Sequence, residues 1–158
     1  MVRLADLPEW ERDHMLNKIP NLPRFGINAW VAGRPLAKRR VAIVTTAGLH
    51  LRGDRPFGQG DARSAYRVIP GNASAADIVM SQFSTNFDRS GFQQDLNIAF
   101  PIDRLRELAG DGIIGSVADF HYSFMGAGSP VNRMEPKARE VAGLLKKDKV
   151  DAVLLTPV

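Results

Sequence analysis

Val41-Ala42-Ile43-Val44-Thr45-Thr46 is an unbroken apolar, β-branched run that ends in two hydroxyls. A strand with one wet face alternates apolar and polar residues. A run without alternation is a strand covered on both faces, as in a parallel sheet flanked by helices. The run breaks at Ala47-Gly48. A second run, Val150 to Leu155, reads as a final strand with the same continuous burial.

Between these two runs the pattern changes period. Pro101 opens a helix that places Ile102, Leu105, Leu108 and Ala109 on one face and ends at Gly110. Pro136 to about Lys147 reads as another, burying Ala138, Val141, Ala142 and Leu145. Arg67-Val68-Ile69 and Ile78-Val79-Met80 are short strand candidates, and Ile113–Val117 is a short apolar run. Strands alternating with helices make parallel βαβ units. The expected fold is α/β: a layered, mostly parallel sheet with flanking helices, Rossmann-like or flavodoxin-like. Residues 1–35 are expected to be an amino-terminal helix and linker, with Asp6 as N-cap of a helix over 6–18. Residues 36–158 are expected to form the α/β domain, incomplete at its carboxyl end.

The 158 residues are 44% hydrophobic and 24% charged, ordinary for a globular chain. The net charge of +4 is weak ground for nucleic-acid or membrane binding. The one dense basic run, Lys38-Arg39-Arg40, reads as a solvated helix end. There is no cysteine, which excludes disulfides, thiolate metal sites and a cysteine nucleophile within the chain. The amino terminus lacks a signal-peptide core and no apolar stretch reaches membrane-span length, so a cytoplasmic location is expected.

Several residues are candidates for chemistry. His50 follows the first strand, where an imidazole can act as general acid or base; the alternative is a ring satisfied by loop backbone. Thr45 and Thr46 could donate hydroxyls to an anionic substrate, although threonine is also a favoured strand residue. Asp88 and Asp95 could meet an ammonium group or a cation, or else fix turns and cap a helix. Two carboxylates without a histidine at ligand spacing make a poor metal signature, and no metal is expected. His121 and Tyr122 lie in His121-Tyr122-Ser123-Phe124-Met125-Gly126, read as a loop that either lines a pocket or bonds to backbone. The long polar loop 52–64 lacks the arrangement of a phosphate loop, and Gly126-Ala127-Gly128 lacks a dinucleotide fingerprint.

Five ordered segments resemble the selenoprotein B subunits of the glycine, betaine, sarcosine and D-proline reductase family. They are VAIVTTAGLHLRGD (41–54), YRVIP (66–70), FDRSGFQQDLNIAFPIDRLRELAGDGIIGS (87–116), FHYSFMG (120–126) and EVAGLLKKDKVDAVLLTPV (140–158). The resemblance covers roughly residues 36–158, with the D-proline reductase branch nearest. It implies a reductase that cleaves the carbon–nitrogen bond at the α-carbon of an amino acid. A selenocysteine selenolate would be the nucleophile, and a partner subunit would carry a pyruvoyl group that activates the amine.

The resemblance also places the nucleophile just after Val158, with Thr156 and Pro157 orienting its turn. The expectation is a reading frame halted at a UGA codon for selenocysteine, leaving a chain with no cofactor of its own and little activity alone. His50 is then the expected proton-transfer group. Thr45, Thr46, Asp88, Asp95, His121, Tyr122 and Thr156 are the expected substrate-binding residues. Unpaired apolar surface at the end of the chain would encourage self-association. A non-catalytic ligand-binding or partner-scaffold domain of the same descent is the competing reading.

Overall fold

The computed structural model describes residues 3–22, 26, 31–58, 64–84, 89–126 and 131–158. They divide into two compact units, Met1–Val31 and Ala32–Val158. In the first unit, helix α1 spans Glu9–Lys18 and buries no residue. It starts later than expected. Asp6 instead closes a 3-10 turn, Leu4–Asp6, by accepting the Arg3 amide at 3.0 Å, and Pro8 takes the N-cap.

In the second unit, strand β1 (Arg40–Thr45) is central. Along one side it pairs in succession with β5 (Ser116–Val117) and β6 (Phe120–Phe124), both parallel. Along the other it pairs with β7 (Ala152–Thr156), also parallel, in the register Val41↔Ala152 to Thr45↔Thr156. Strand β3 (Tyr66–Pro70) adds an antiparallel edge against β6. A separate ribbon joins β2 (Leu49–Leu51) to β4 (Ile78–Met80). Helices α2 (Ser90–Gln94), α3 (Ile102–Gly110) and α4 (Val131–Lys147) complete the unit.

The layered, mostly parallel α/β fold expected from periodicity is therefore present. Its parallel strands run second–first–third across the sheet (β6, β1, β7), the order that opens a flavodoxin-type doubly wound sheet. The helices lie on opposite faces. Val41 and Ile43 pack with Ile102 and Leu105 of α3, while Val44 packs with Tyr122, Phe124, Val141 and Leu144 on the α4 side. Each fully buried aliphatic or aromatic chain here contributes about 1.5–3 kcal/mol.

Four local expectations are corrected. Strand β7 is not covered like β1: Val153, Leu154 and Leu155 are exposed, because no described strand lies beyond it. Residues 120–124 form strand β6 rather than a loop. Helix α4 begins at Val131, with Pro136 inside it, and it is Met134, Val141, Leu144 and Leu145 that pack inward while Ala138 and Ala142 face solvent. Arg40 is no solvated helix end. It lies in β1, and its guanidinium bonds Asp148 Oδ1 at 2.5 Å and the Val117 carbonyl at 2.7 Å.

Asp148 holds that end of the sheet together. Its second oxygen accepts the Asp119 amide at 2.9 Å and the Phe120 amide at 3.3 Å, at the kink between β5 and β6. Burial alone would raise its carboxyl pKa, but the bonds from Arg40 and the Asp119 amide outweigh that and hold it below the usual range. Among the described residues, no helix is long and apolar enough to cross a membrane.

Candidate functional site

The carboxyl ends of β1 and β7 lie side by side, at the point where the chain order reverses. Open parallel sheets collect ligands at such a point. Three threonines and Val158 meet there. Thr45 is fully buried; its hydroxyl lies 3.1 Å from the Ala99 carbonyl and 3.2 Å from that of Thr156, and accepts the Ala47 amide at 3.2 Å. One hydroxyl proton serves one carbonyl at a time. The Thr156 hydroxyl donates to the same Ala99 carbonyl at 3.1 Å. The Thr46 hydroxyl accepts the Val158 amide at 2.9 Å and donates to the Val158 main-chain oxygen at 3.3 Å.

The Thr46 carbonyl ties this rim to the next segments. It accepts the Gln82 side-chain amide at 3.1 Å and the Gly126 amide at 3.0 Å. Gly126 must lack a side chain here, since a Cβ would stand 2.9 Å from the Thr46 Cβ. Gln82 is buried, and its Oε1 accepts the amides of Phe83 and Ser84 at 2.9 and 3.2 Å. The Gln82 main-chain carbonyl receives a short bond from Arg89 Nη2, which also lies 3.5 Å from the Ser84 carbonyl.

Asp95 acts on the rim from outside it. Its carboxylate accepts the Asn97 amide at 2.9 Å and so caps the 3-10 turn Leu96–Ile98, the turn that delivers Ala99. Those bonds hold its pKa below the usual value. Asn97 in turn bonds Asp103 at the start of α3. Asp88 falls outside the described residues.

His50 and His121 direct their ring nitrogens to groups other than the rim threonines. His50, on β2, is buried; its Nδ1 lies 2.7 Å from the Leu51 carbonyl and its Nε2 2.8 Å from the Ser81 hydroxyl. Since a carbonyl only accepts, Nδ1 donates to Leu51, and Nε2 shares a hydrogen bond with the Ser81 hydroxyl. His121, on β6, is fully buried, and its Nδ1 accepts the Ile43 amide at 2.9 Å. The ring thereby replaces a ladder partner at the gap between β5 and β6. Burial, with Arg106 adding to it, pushes its pKa down to about 4, so it is neutral with the proton on Nε2. Among the described residues Nε2 has no hydrogen-bond partner, and the Phe100 ring stands edge-on with centroids 5.4 Å apart. Tyr122 points to the other face, edge-on to Tyr66 at 6.0 Å, and burial raises its pKa.

The structure thus brings Thr45, Thr46 and Thr156 together and gives His50, His121, Tyr122 and Asp95 partners outside that cluster. Sequence reasoning missed Ala99, whose contribution is a carbonyl, together with Gln82 and Arg89. A cleft of about 540 Å³ between Pro70–Asn72 and Val117–Phe120 lies at the opposite end of the sheet, beside the amino end of β1. Among the described residues, no three histidines, cysteines or carboxylates group as metal ligands.

Residues 17–158 match the sequence profile of the family described as glycine/sarcosine/betaine reductase selenoprotein B. The D-proline reductase subunit gamma of Acetoanaerobium sticklandii is 40% identical over 125 residues, 78% of this chain and 50% of that protein. The glycine reductase complex component B subunit gamma of Symbiobacterium thermophilum is 32% identical over 78% of this chain and 29% of its own length. The betaine reductase complex component B subunit beta of Peptoclostridium acidaminophilum is 29% identical over 87% of this chain and 32% of its own. The chain therefore spans half or less of the length of these relatives. No solved structure matches. The chain belongs to the glycine/sarcosine/betaine reductase selenoprotein B family.

Proposed function

We propose that this chain forms the strand-rim portion of an amino-acid reductase subunit that cleaves the Cα–N bond of its substrate, with D-proline as first choice. The observation that carries the reading is the clamp of Thr46 on Val158: the side chain just after β1 fixes the main chain that follows β7. In the family reading, that following segment bears the selenium or sulfur nucleophile. None of these 158 residues is cysteine, so the nucleophile is contributed from outside them. The pyruvoyl group that activates the amine belongs to a partner subunit. A selenolate or thiolate held in the segment after Val158 would supply the nucleophile that displaces the amine from the α-carbon, the C–N electron pair leaving with the amine. A thiol reductant would supply the two electrons that release the product, while Thr46 of this chain would hold the main chain leading to the nucleophile.

The relatives' names also define a substrate class. D-proline, glycine, sarcosine and betaine share a carbon that carries both a nitrogen and a carboxylate. They differ in the substitution of the nitrogen, and D-proline also carries a ring carbon on its α-carbon.

A non-catalytic scaffold is favoured by one observation: Thr45, Thr46, Thr156 and His50 all direct hydrogen bonds to the protein's own groups. One experiment separates the readings. The chain would be extended through its gene's following codons, with cysteine at the position after Val158, and mixed with the pyruvoyl-bearing partner and a dithiol. D-proline should then be opened to 5-aminopentanoate. Absence of turnover with all four substrates would favour the scaffold.

A further inference from the structure

We infer that Arg89 is the carboxylate anchor of this rim, a binding role for the α-carboxylate of the substrate class above. The inference rests on the amino-acid reductase reading. Its chemical starting point is that no one nitrogen-recognising group fits all members of that class. Glycine presents a primary amine, sarcosine and D-proline secondary ones, and betaine a quaternary nitrogen with no N–H to donate. The carboxylate is the part they share. A subunit architecture common to all four should therefore keep an anion-binding group near the reacting carbon.

Arg89 stands in that position. Its Nη2 donates to the Gln82 carbonyl and reaches that of Ser84, and the Gln82 side chain bonds the Thr46 carbonyl at 3.1 Å. The guanidinium is thus one residue removed from the clamp on Val158. Among the described residues it meets carbonyls and forms no ion pair with a carboxylate, so its positive charge is not neutralised there. The bond to the Gln82 carbonyl orients the fork before any ligand arrives, which lowers the ordering cost of a carboxylate contact.

Arg67 offers the useful contrast. It too lies toward the carboxyl end of the sheet, opposite Ser123. All three of its nitrogens are spent on carbonyls, those of Arg55, Tyr66 and Pro56, and its guanidinium lies 4.5 Å above the Phe57 ring. Arg67 is a fixture of its loop.

Binding to the chain itself provides the test, read by calorimetry or ligand-observed NMR. The probes are D-proline, cyclopentanecarboxylate (carboxylate without nitrogen) and D-prolinol (nitrogen without carboxylate). Both carboxylates should bind, Arg89→Gln should weaken them roughly tenfold or more, and Arg89→Lys should fall between. D-prolinol binding should not depend on residue 89. Circular dichroism and melting of each variant check that the exposed substitution leaves the fold intact. Two results overturn the anchor: carboxylates that fail to bind the native chain, or that bind folded Arg89→Gln equally well. In the assembled reductase, unchanged KM in Arg89→Gln would remove the anchor and leave the reductase reading standing. Arg89-dependent carboxylate binding without turnover of any substrate would do the reverse.

Discussion

Thr46 holds both main-chain groups of Val158, accepting its amide at 2.9 Å and donating to its oxygen at 3.3 Å. A side chain here does what a neighbouring strand would do for a ladder residue. The Thr46 amide simultaneously bonds the Thr156 carbonyl at 3.2 Å, so one threonine fastens the last strand and the residue beyond it. The β-branched side chain has restricted χ1 freedom, which makes the clamp stiff.

Thr46→Val keeps the shape and deletes both hydroxyl bonds. Each is worth about 1 kcal/mol, so opening of Val158 should rise roughly fivefold for each bond lost. Amide hydrogen exchange at Val158 reads this directly, and Thr46→Ser should stay near the native rate. Unchanged exchange in Thr46→Val would remove the clamp.

His121 makes the fold acid-sensitive. Its pKa in the fold is about 4 because burial, together with Arg106 and Arg40, disfavours the charged ring, against the opposing pull of Asp148. The unfolded ring titrates near 6.5. Above that pH the ring is neutral in both states and the full stability is present. As pH falls from about 6.5 toward 4, the unfolded chain takes up a proton that the fold refuses, and stability drops by on the order of 3 kcal/mol. Below pH 4 this contribution levels off, since the folded ring protonates too. Urea titrations at several pH values should show the slope. His121→Asn, which keeps an acceptor for the Ile43 amide but cannot titrate, should flatten it. An equal slope in that variant would place the acid sensitivity elsewhere.

Arg40 and Asp148 are the second weak point. Their side chains are 22% and 11% exposed and 2.5 Å apart, so removing one leaves the other charge poorly solvated. Asp148→Ala also strands the amides of Asp119 and Phe120. The expected cost is about 3 kcal/mol, largely independent of salt, by chemical denaturation. Because the Asp148 pKa is lowered in the fold, its contribution is present above the ordinary carboxylate range and is lost as pH falls below it. A loss under about 0.5 kcal/mol would mark the pair as an ordinary surface contact.

Much of the architecture was legible because burial on both faces writes itself as an unbroken apolar run, as in Val41–Val44. Helix α3 was equally plain, with Pro101 before it and Gly110 at its end. Phe120–Phe124 was legible in principle: aromatics alternate with His121 and Ser123 at period two. It was misread because buried polar residues imitate a loop. Their partners, the amides of Ile43 and Leu49, lie 78 and 74 residues away. Strand β7 failed for the opposite reason, since apolar composition shows what a strand can bury and not whether anything covers it. At the rim, Thr45, Thr46 and Thr156 could be read from position. The Ala99 carbonyl that two of them share carries no side-chain signature.

That uncovered strand supplies a last prediction. Thr156 turns its carbonyl toward β1, so by the alternation of a parallel ladder Ala152 and Leu154 face β1 as well, and Val153 and Leu155 direct their main-chain groups outward. Leu155 is 68% exposed and Val153 39%. Among the described residues no strand pairs with this edge, and an apolar edge of unpaired donors and acceptors is a template for another strand. The isolated chain should therefore self-associate with rising concentration in sedimentation experiments. Leu155→Lys should suppress this through charge on the edge, while changing unfolding free energy by no more than about 0.5 kcal/mol, because the side chain is largely in water already. Native chain that stays monomeric at every concentration, or a lysine variant that associates just as strongly, would show that this edge drives no assembly.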